Sequence, residues 1–220
     1  MTQTKPVTLG PPDVQLAGDL AVPAGASGMV LFAHGSGSSR HSPRQKAVAS
    51  ALNERGLGTL LFDLLTDDEE DIEARTGTHD FRFDITLLSE RLTEALDWLG
   101  RTEETSGLPV GLFGASTGAA AALRTSVRRP DHVRAVVCRG GRVDLAQETL
   151  QRLGAPVLLI VGSADAPIVR ISHEAARRIR APHQVYIVLG ATHLFMEPGA
   201  LDEVARVSGE WFERYLGVSA

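Results

Sequence analysis

The sequence predicts an α/β fold, a mostly parallel sheet flanked by helices on both faces, and two patterns carry that expectation. Short apolar runs rich in Val, Leu and Ile recur at Met29–Ala33, Gly58–Leu64, Pro109–Phe113, Arg134–Cys138, Pro156–Val161 and Gln184–Leu189. Unbroken runs of this kind read as strands buried on both faces, as in a parallel sheet. Between them lie residues at helical spacing: Ala47, Val48, Ala51 and Leu52; Ile85, Leu88, Leu92, Leu96 and Leu99; Leu201, Val204, Ala205, Trp211, Phe212 and Tyr215. Strands alternating with helices imply parallel strands covered by the intervening helices.

Ahead of these runs, Val14, Leu16, Leu20 and Val22 share one parity while Gln15 and Asp19 take the other. That alternation predicts a half-exposed antiparallel strand near the sheet edge. Gly35–Pro43 and the acidic Thr66–Asp80 read as loops, with Asp67–Glu73 a solvated stretch and no metal site. Neither these loops nor any shift in composition divides the chain, so a single domain over 1–220 is expected.

Composition excludes several function classes. Of the 220 residues 43% are hydrophobic and 22% charged, which suits a packed globular protein. A formal net charge of −5, with no long Lys/Arg block, argues against nucleic acid and anionic membranes as partners. The first residues carry no apolar stretch of about 7 to 15 residues, and no run of about 18 apolar residues occurs, so a cytoplasmic protein without a membrane anchor is expected. Cys138, the one cysteine, forms no internal disulfide, and its place in an apolar run predicts a buried core residue.

The chemistry centres on Val110–Leu123, where a strand pattern runs into Gly114-Ala115-Ser116-Thr117-Gly118 and then a helix of small residues. A serine at the apex of so sharp a turn projects its hydroxyl above the sheet, and the flanking glycines leave room for the turning backbone. The helix N-terminus behind it directs partial positive charge toward a developing oxyanion. The simpler reading makes Ser116 a helix N-cap in a tight connection.

A serine hydroxyl needs a base, and the base needs an acceptor to hold its tautomer. Of seven histidines, His193 follows the last apolar run at its C-terminal end, whereas His183 precedes that run and falls at the opposite edge. Asp165 stands just beyond the run Pro156–Val161; Asp144, after the preceding run, is the rival, and either can be a helix cap. The triad is then Ser116, Asp165 and His193 in that chain order. For the oxyanion, the N–H of Thr117 follows the nucleophile, and the loop His34-Gly35-Ser36-Gly37 supplies the N–H of Ser36.

Together the segments HGSGSSRHSPR, GLFGASTGAAAAL, VCRGGRVDLA, VGSADAPIV and GATHLF resemble α/β-hydrolases of the dienelactone-hydrolase-like group, over nearly the whole chain. The resemblance implies the α/β-hydrolase fold, about eight strands with one antiparallel member, no metal or organic cofactor, and hydrolysis of an ester-like bond. Dienelactone hydrolase proper uses a cysteine nucleophile where this chain has Ser116, which argues against dienelactone as the substrate. Some relatives of the group are joined to a phosphoribosyltransferase domain, of which this sequence has no sign.

The expected activity is therefore cleavage of a small soluble carboxylic ester through an acyl-enzyme on Ser116, under a minimal lid. Transfer to another acceptor, thioester or lactone hydrolysis, and a non-catalytic ligand-binding member are the alternatives. Arg40 and Arg142, with His41, Arg44 and Arg139, flank the expected mouth and are candidates for binding an anionic substrate, unless they pair with the acidic Asp67–Glu73. Neither the physiological ester nor the oligomeric state follows from the sequence.

Overall fold

The computed structural model describes residues 2–217, so both ends of the expected domain span lie outside the described residues. Eight strands form one sheet: β1 (Thr4–Leu9), β2 (Leu16–Ala21), β3 (Gly28–Ala33), β4 (Leu57–Phe62), β5 (Val110–Ala115), β6 (Val133–Arg139), β7 (Val157–Gly162) and β8 (His183–Val188). Their order is β1-β2-β4-β3-β5-β6-β7-β8. β2 runs antiparallel to β1 and β4, and all other neighbours are parallel.

The six apolar runs are β3 to β8, and the alternating segment is β2, where Leu16 and Leu20 are buried while Ala17 and Asp19 are half-buried. Two differences have simple causes. β1 adds an unexpected strand outside β2; it is mostly exposed and contains Pro6, which an edge strand tolerates because one side of its backbone faces solvent. β8 was expected to be buried on both faces, yet it is the other edge of the sheet and largely exposed.

Helices α1 (Pro43–Glu54) and α7 (Ala200–Leu216) cover one face. On the other lie α4 (Ile85–Arg101), α5 (Thr117–Arg128) and α6 (Ala166–Ala176). Helix α4 starts where the Asp84 carboxylate accepts the N–H groups of Thr86 and Leu87, at 2.9 and 3.0 Å. Its stripe Leu88, Leu92, Leu96 and Leu99 is buried, each leucine contributing about 1.5–3 kcal/mol of transfer free energy. Helix α5 packs through Ala119–Leu123, whose small side chains let it lie close against β5 and β6.

The acidic stretch is not a loop: it folds as α2 (Asp67–Thr76) and α3 (Asp80–Phe83). Thr66 and Glu69 form a capping box, with Glu69 N–H donating to Thr66 Oγ1 at 3.2 Å and Thr66 N–H to Glu69 Oε2 at 2.8 Å. Asp67, Asp68, Glu69 and Glu70 occupy the first turn, where the helix dipole favours negative charge. No helix among the described residues is long and apolar enough to cross a membrane. Because β3 to β8 are parallel, the segments after them gather at their carboxyl ends, the edge where α/β sheets bind ligands.

Candidate active site

Ser116 is the whole connection between β5 and α5. Its backbone is held at φ 50°, ψ −118°, which for a residue with a Cβ costs about 1–3 kcal/mol and requires support from its surroundings. That support comes from both sides: Ser116 N–H donates to the Arg139 carbonyl at 3.2 Å, and the Ser116 carbonyl accepts from Arg142 N–H at 3.0 Å. The helix must also pass close to the sheet. A Cβ on Gly118 would stand 2.2 Å from the Ala33 carbonyl oxygen, and one on Gly114 2.5 Å from Ala119 Cα, so both motif glycines are required by packing. Ser116 stands at the N-cap position of α5, but its side chain makes no capping hydrogen bond to the helix.

Asp165 and His193 meet. Asp165 lies between β7 and α6, and its Oδ2 accepts from His193 Nδ1 at 2.6 Å. This bond puts the imidazole proton on Nδ1 and leaves Nε2 as the acceptor. The Asp165 side chain is 12% exposed and that of His193 38%, so the carboxylate is shielded while the imidazole still faces solvent. The two loops are joined by Ala164 N–H donating to the Ala191 carbonyl at 3.0 Å, and Asp165 N–H closes its own turn on the Gly162 carbonyl at 3.0 Å. The His193 ring rests against Gly140, the residue after the Arg139 that holds Ser116. Among the described residues no hydrogen bond joins the Ser116 hydroxyl to His193; free-state catalytic contacts are commonly longer than those of the substrate complex.

The rivals are placed elsewhere. Asp144 lies in the 3-10 turn Val143–Ala146 and binds Arg142 through Nε at 2.9 Å and Nη2 at 2.8 Å, so it neither caps a helix nor meets His193. His183 opens β8 at the far edge of the sheet, its Nδ1 2.9 Å from the Ala181 carbonyl. Cys138 is fully buried, and burial pushes its thiol up to about 12, far from a reactive thiolate.

The loop after β3 approaches Ser116 from the opposite side. A Cβ on Gly35 would lie 3.0 Å from Ser116 Cβ, so this chain segment passes directly over the serine. Buried His34 shapes it: Leu64 N–H donates to His34 Nε2 at 3.0 Å, and Nδ1 lies 2.9 Å from the Gly35 carbonyl. Burial lowers the His34 pKa and favours the neutral ring that this pair of bonds requires. Thr117 opens α5, where an amide lacks an intrahelical acceptor and is free to meet an anion.

A third support was not anticipated from the sequence. The Glu73 carboxylate of α2 is fully buried; it accepts from Arg82 N–H at 3.0 Å and from Arg82 Nε, and Arg82 Nη1 reaches the Ser36 carbonyl at 3.3 Å. The spacing Thr66-x-x-Glu69 was the available signal that this stretch is a helix able to carry Glu73 inward.

Both candidate substrate-binding arginines are engaged by carboxylates. Arg40 binds Asp63 through its N–H at 2.7 Å and its guanidinium, and Arg142 binds Asp144. The acidic stretch pairs instead with Arg82, at Glu73, and with Arg91, at Glu69. Beside Ser36 opens a cavity of about 490 Å³, bounded by His34 to Ser39, His41 to Arg44, Leu64, Leu65, Glu70, Arg82 and Leu88.

The family model for the dienelactone hydrolase family matches residues 17–216. The chain belongs to this family. A dienelactone hydrolase from Anabaena variabilis has a solved structure that is 50% identical, with a TM-score of 0.94 over 97% of this chain and 98% of that one. Est1E from Butyrivibrio proteoclasticus shares the fold at 14% identity, with a TM-score of 0.79 over 96% of this chain and 98% of its own. A protein of Mycobacterium tuberculosis named as a putative phosphoribosyl transferase is 49% identical over 210 residues, 96% of this chain but 46% of its own length. This dienelactone hydrolase family member thus spans about half the length of that curated relative.

Proposed function

We propose that this family member is a serine hydrolase that cleaves small carboxylic esters through an acyl-enzyme on Ser116. The single observation that carries the reading is the 2.6 Å bond from His193 Nδ1 to Asp165, beside a serine held at φ 50° in the β5–α5 turn. In this reading the Ser116 Oγ attacks the ester carbonyl as His193 Nε2 takes its proton. Asp165 keeps the imidazole in the reactive tautomer and stabilises its charge. The carbonyl oxygen gains the electron pair, the amides of Ser36 and Thr117 bind it, and its return expels the alcohol, which takes the proton from His193. Water then attacks the acyl group by the same route, releasing the acid and restoring Ser116.

Several features support small substrates. The cavity of about 490 Å³ lies on the Ser36 side of the site, its lining including neither Ser116 nor His193, and its volume falls within the range of about 300–1,000 Å³ typical of small-molecule sites. Residues Asp67–Phe83 form two short helices, tied down by Glu73, instead of a large mobile cover. The 50% identity to a dienelactone hydrolase supports an ester-like bond, while burial of Cys138 supports serine as the nucleophile. The phosphoribosyl transferase name belongs to a protein about twice as long, and nothing in the Ser116 site favours that chemistry.

The test is a panel of esters of graded acyl length and charge, assayed with the native chain and with Ser116→Ala. The expected result is turnover of short esters that Ser116→Ala abolishes. Turnover that survives in the variant, or none across the panel, contradicts the proposal.

A further inference from the structure

Among the described residues, two arginines near the segment after His193 have no carboxylate partner. Arg139, the last residue of β6, is 7% exposed; its guanidinium lies over the Phe195 ring, 5.5 Å from the centroid, and its Nη1 reaches the Leu194 carbonyl only at 3.5 Å. Arg44, in the first turn of α1, has a buried Nε without a hydrogen-bond partner, and its Nη1 meets the Met196 sulfur at 3.7 Å. Among the described residues neither takes part in a salt bridge, whereas Arg40, Arg82 and Arg142 near the same edge are each paired with an acid.

A buried guanidinium with neither counter-ion nor full hydrogen bonding is unfavourable, and a second cation nearby makes it more so. The two reach the same short segment, Arg139 at Leu194 and Arg44 at Met196. Burial first, and then the charge of Arg44, push the Arg139 guanidinium down to about 10. The ring face of Phe195 compensates part of the charge but accepts no N–H in the guanidinium plane. Phe195 itself is held at φ 55°, rare for a bulky residue, and such strain clusters at ligand sites. Both arginines converge on Leu194–Met196, the segment directly after His193, and Arg44 also lines the cavity beside Ser36. The cavity's carboxylate, Glu70, stands on α2; burial and then the charge of Asp63 raise its pKa, with Arg82 acting against them.

We propose that Arg44 and Arg139 form an anion subsite that binds one oxyanion group of the substrate, a carboxylate or a phosphoryl group, beside the reacting ester. Arg44 is the accessible arm. Arg139 supplies charge from beneath the His193 segment, where a fixed guanidinium in a shielded setting acts more strongly than one in water. The subsite rests on the hydrolase reading for its role but not for its existence, because two cations can be shown to hold an anion without turnover.

The experiment therefore has separate binding and kinetic arms. Melting temperatures of Ser116→Ala and of Ser116→Ala carrying Arg44→Gln are measured against inorganic phosphate and against succinate, with sodium chloride as the ionic-strength control. Stabilisation by one of the two anions beyond the chloride control, lost with Arg44→Gln, supports the subsite and identifies which anion chemistry it takes. In the kinetic arm, 4-nitrophenyl butyrate is compared with mono-4-nitrophenyl succinate. Native protein is expected to favour the anionic ester in kcat/KM, and Arg44→Gln to lower that ratio by about tenfold, the equivalent of one modest charged contact. Arg139→Gln is expected to act in the same direction; should it fail to fold, Arg44→Gln still decides. Melting unaffected by either anion beyond the chloride control, or a ratio unchanged by Arg44→Gln, overturns the subsite. Failure of both esters while phosphate or succinate still stabilises the protein would instead overturn the hydrolase reading and leave the subsite standing.

Discussion

Arg82 joins the acidic helix to the loop over the nucleophile: its Nη1 donates to the Ser36 carbonyl at 3.3 Å while Glu73 holds its Nε and N–H. Glu73 is fully buried and Arg82 is 28% exposed, so the pair is shielded without being wholly dry. Glu73→Gln should destabilise the fold by about 3 kcal/mol, the low end for breaking a buried ion pair. It should also lower kcat through the released Ser36 loop. Urea melts and kcat on one activated ester check both parts; unchanged kcat in the folded variant would leave Arg82 a purely structural residue.

Acid should unfold the protein in two stages. Burial lowers the His34 pKa, so the unfolded chain takes up the proton first and stability is lost as pH falls below the free value of 6.5. Burial alone would raise the Glu73 carboxyl, but the bonds from Arg82 outweigh it and hold it below its ordinary value of 4.5. Glu203 is held at about 2 by Arg206 and then Tyr186. For both carboxylates the stabilisation is present above about 4.5 and is lost as pH falls toward the folded value. Melting temperature followed from pH 7 to pH 2 should decline in these two ranges, and Glu203→Gln should flatten the lower one.

Asp165→Asn should reduce kcat by orders of magnitude, up to about 10⁴-fold, because an amide can favour the wrong imidazole tautomer. Asp144→Asn removes the charge from a part-exposed salt bridge to Arg142, worth about 0–1 kcal/mol of stability, and should leave kcat nearly unchanged. Steady-state assays of both variants, with folding confirmed by thermal melts, make the comparison. A crippled Asp144→Asn with an active Asp165→Asn would reverse the assignment.

Cys138→Ala should retain most activity, since the thiol packs in the core on β6 and burial holds it protonated. The lost sulfur should cost about 1–2 kcal/mol as a small cavity. Loss of turnover in a folded variant would point to a thiol mechanism.

Much of this site was legible in the sequence because its determinants are local. A strand running into Gly114-Ala115-Ser116-Thr117-Gly118 specifies the turn, and the loops after the last two parallel strands must bring Asp165 and His193 to the same edge. What was not legible depends on distant partners. The exposed edges β1 and β8 are set by which strands end the sheet, not by their own hydropathy. Glu73 looks like one acid among many until the capping box makes the stretch a helix and turns this residue inward toward Arg82. The arginines near the mouth were indistinguishable as a list; packing pairs Arg40 with Asp63 and Arg142 with Asp144, and leaves Arg44 and Arg139 without salt bridges among the described residues.

The central claim is that Ser116 is an activated nucleophile, and covalent labelling tests it most directly. Folded protein is treated with a fluorophosphonate, and intact mass and peptide mapping are read alongside those of Ser116→Ala and His193→Ala. The account predicts one adduct per chain on Ser116, absent from Ser116→Ala and strongly slowed in His193→Ala, where the base is gone. A native protein that stays unlabelled, or one labelled at another residue with Ser116→Ala unaffected, would contradict it.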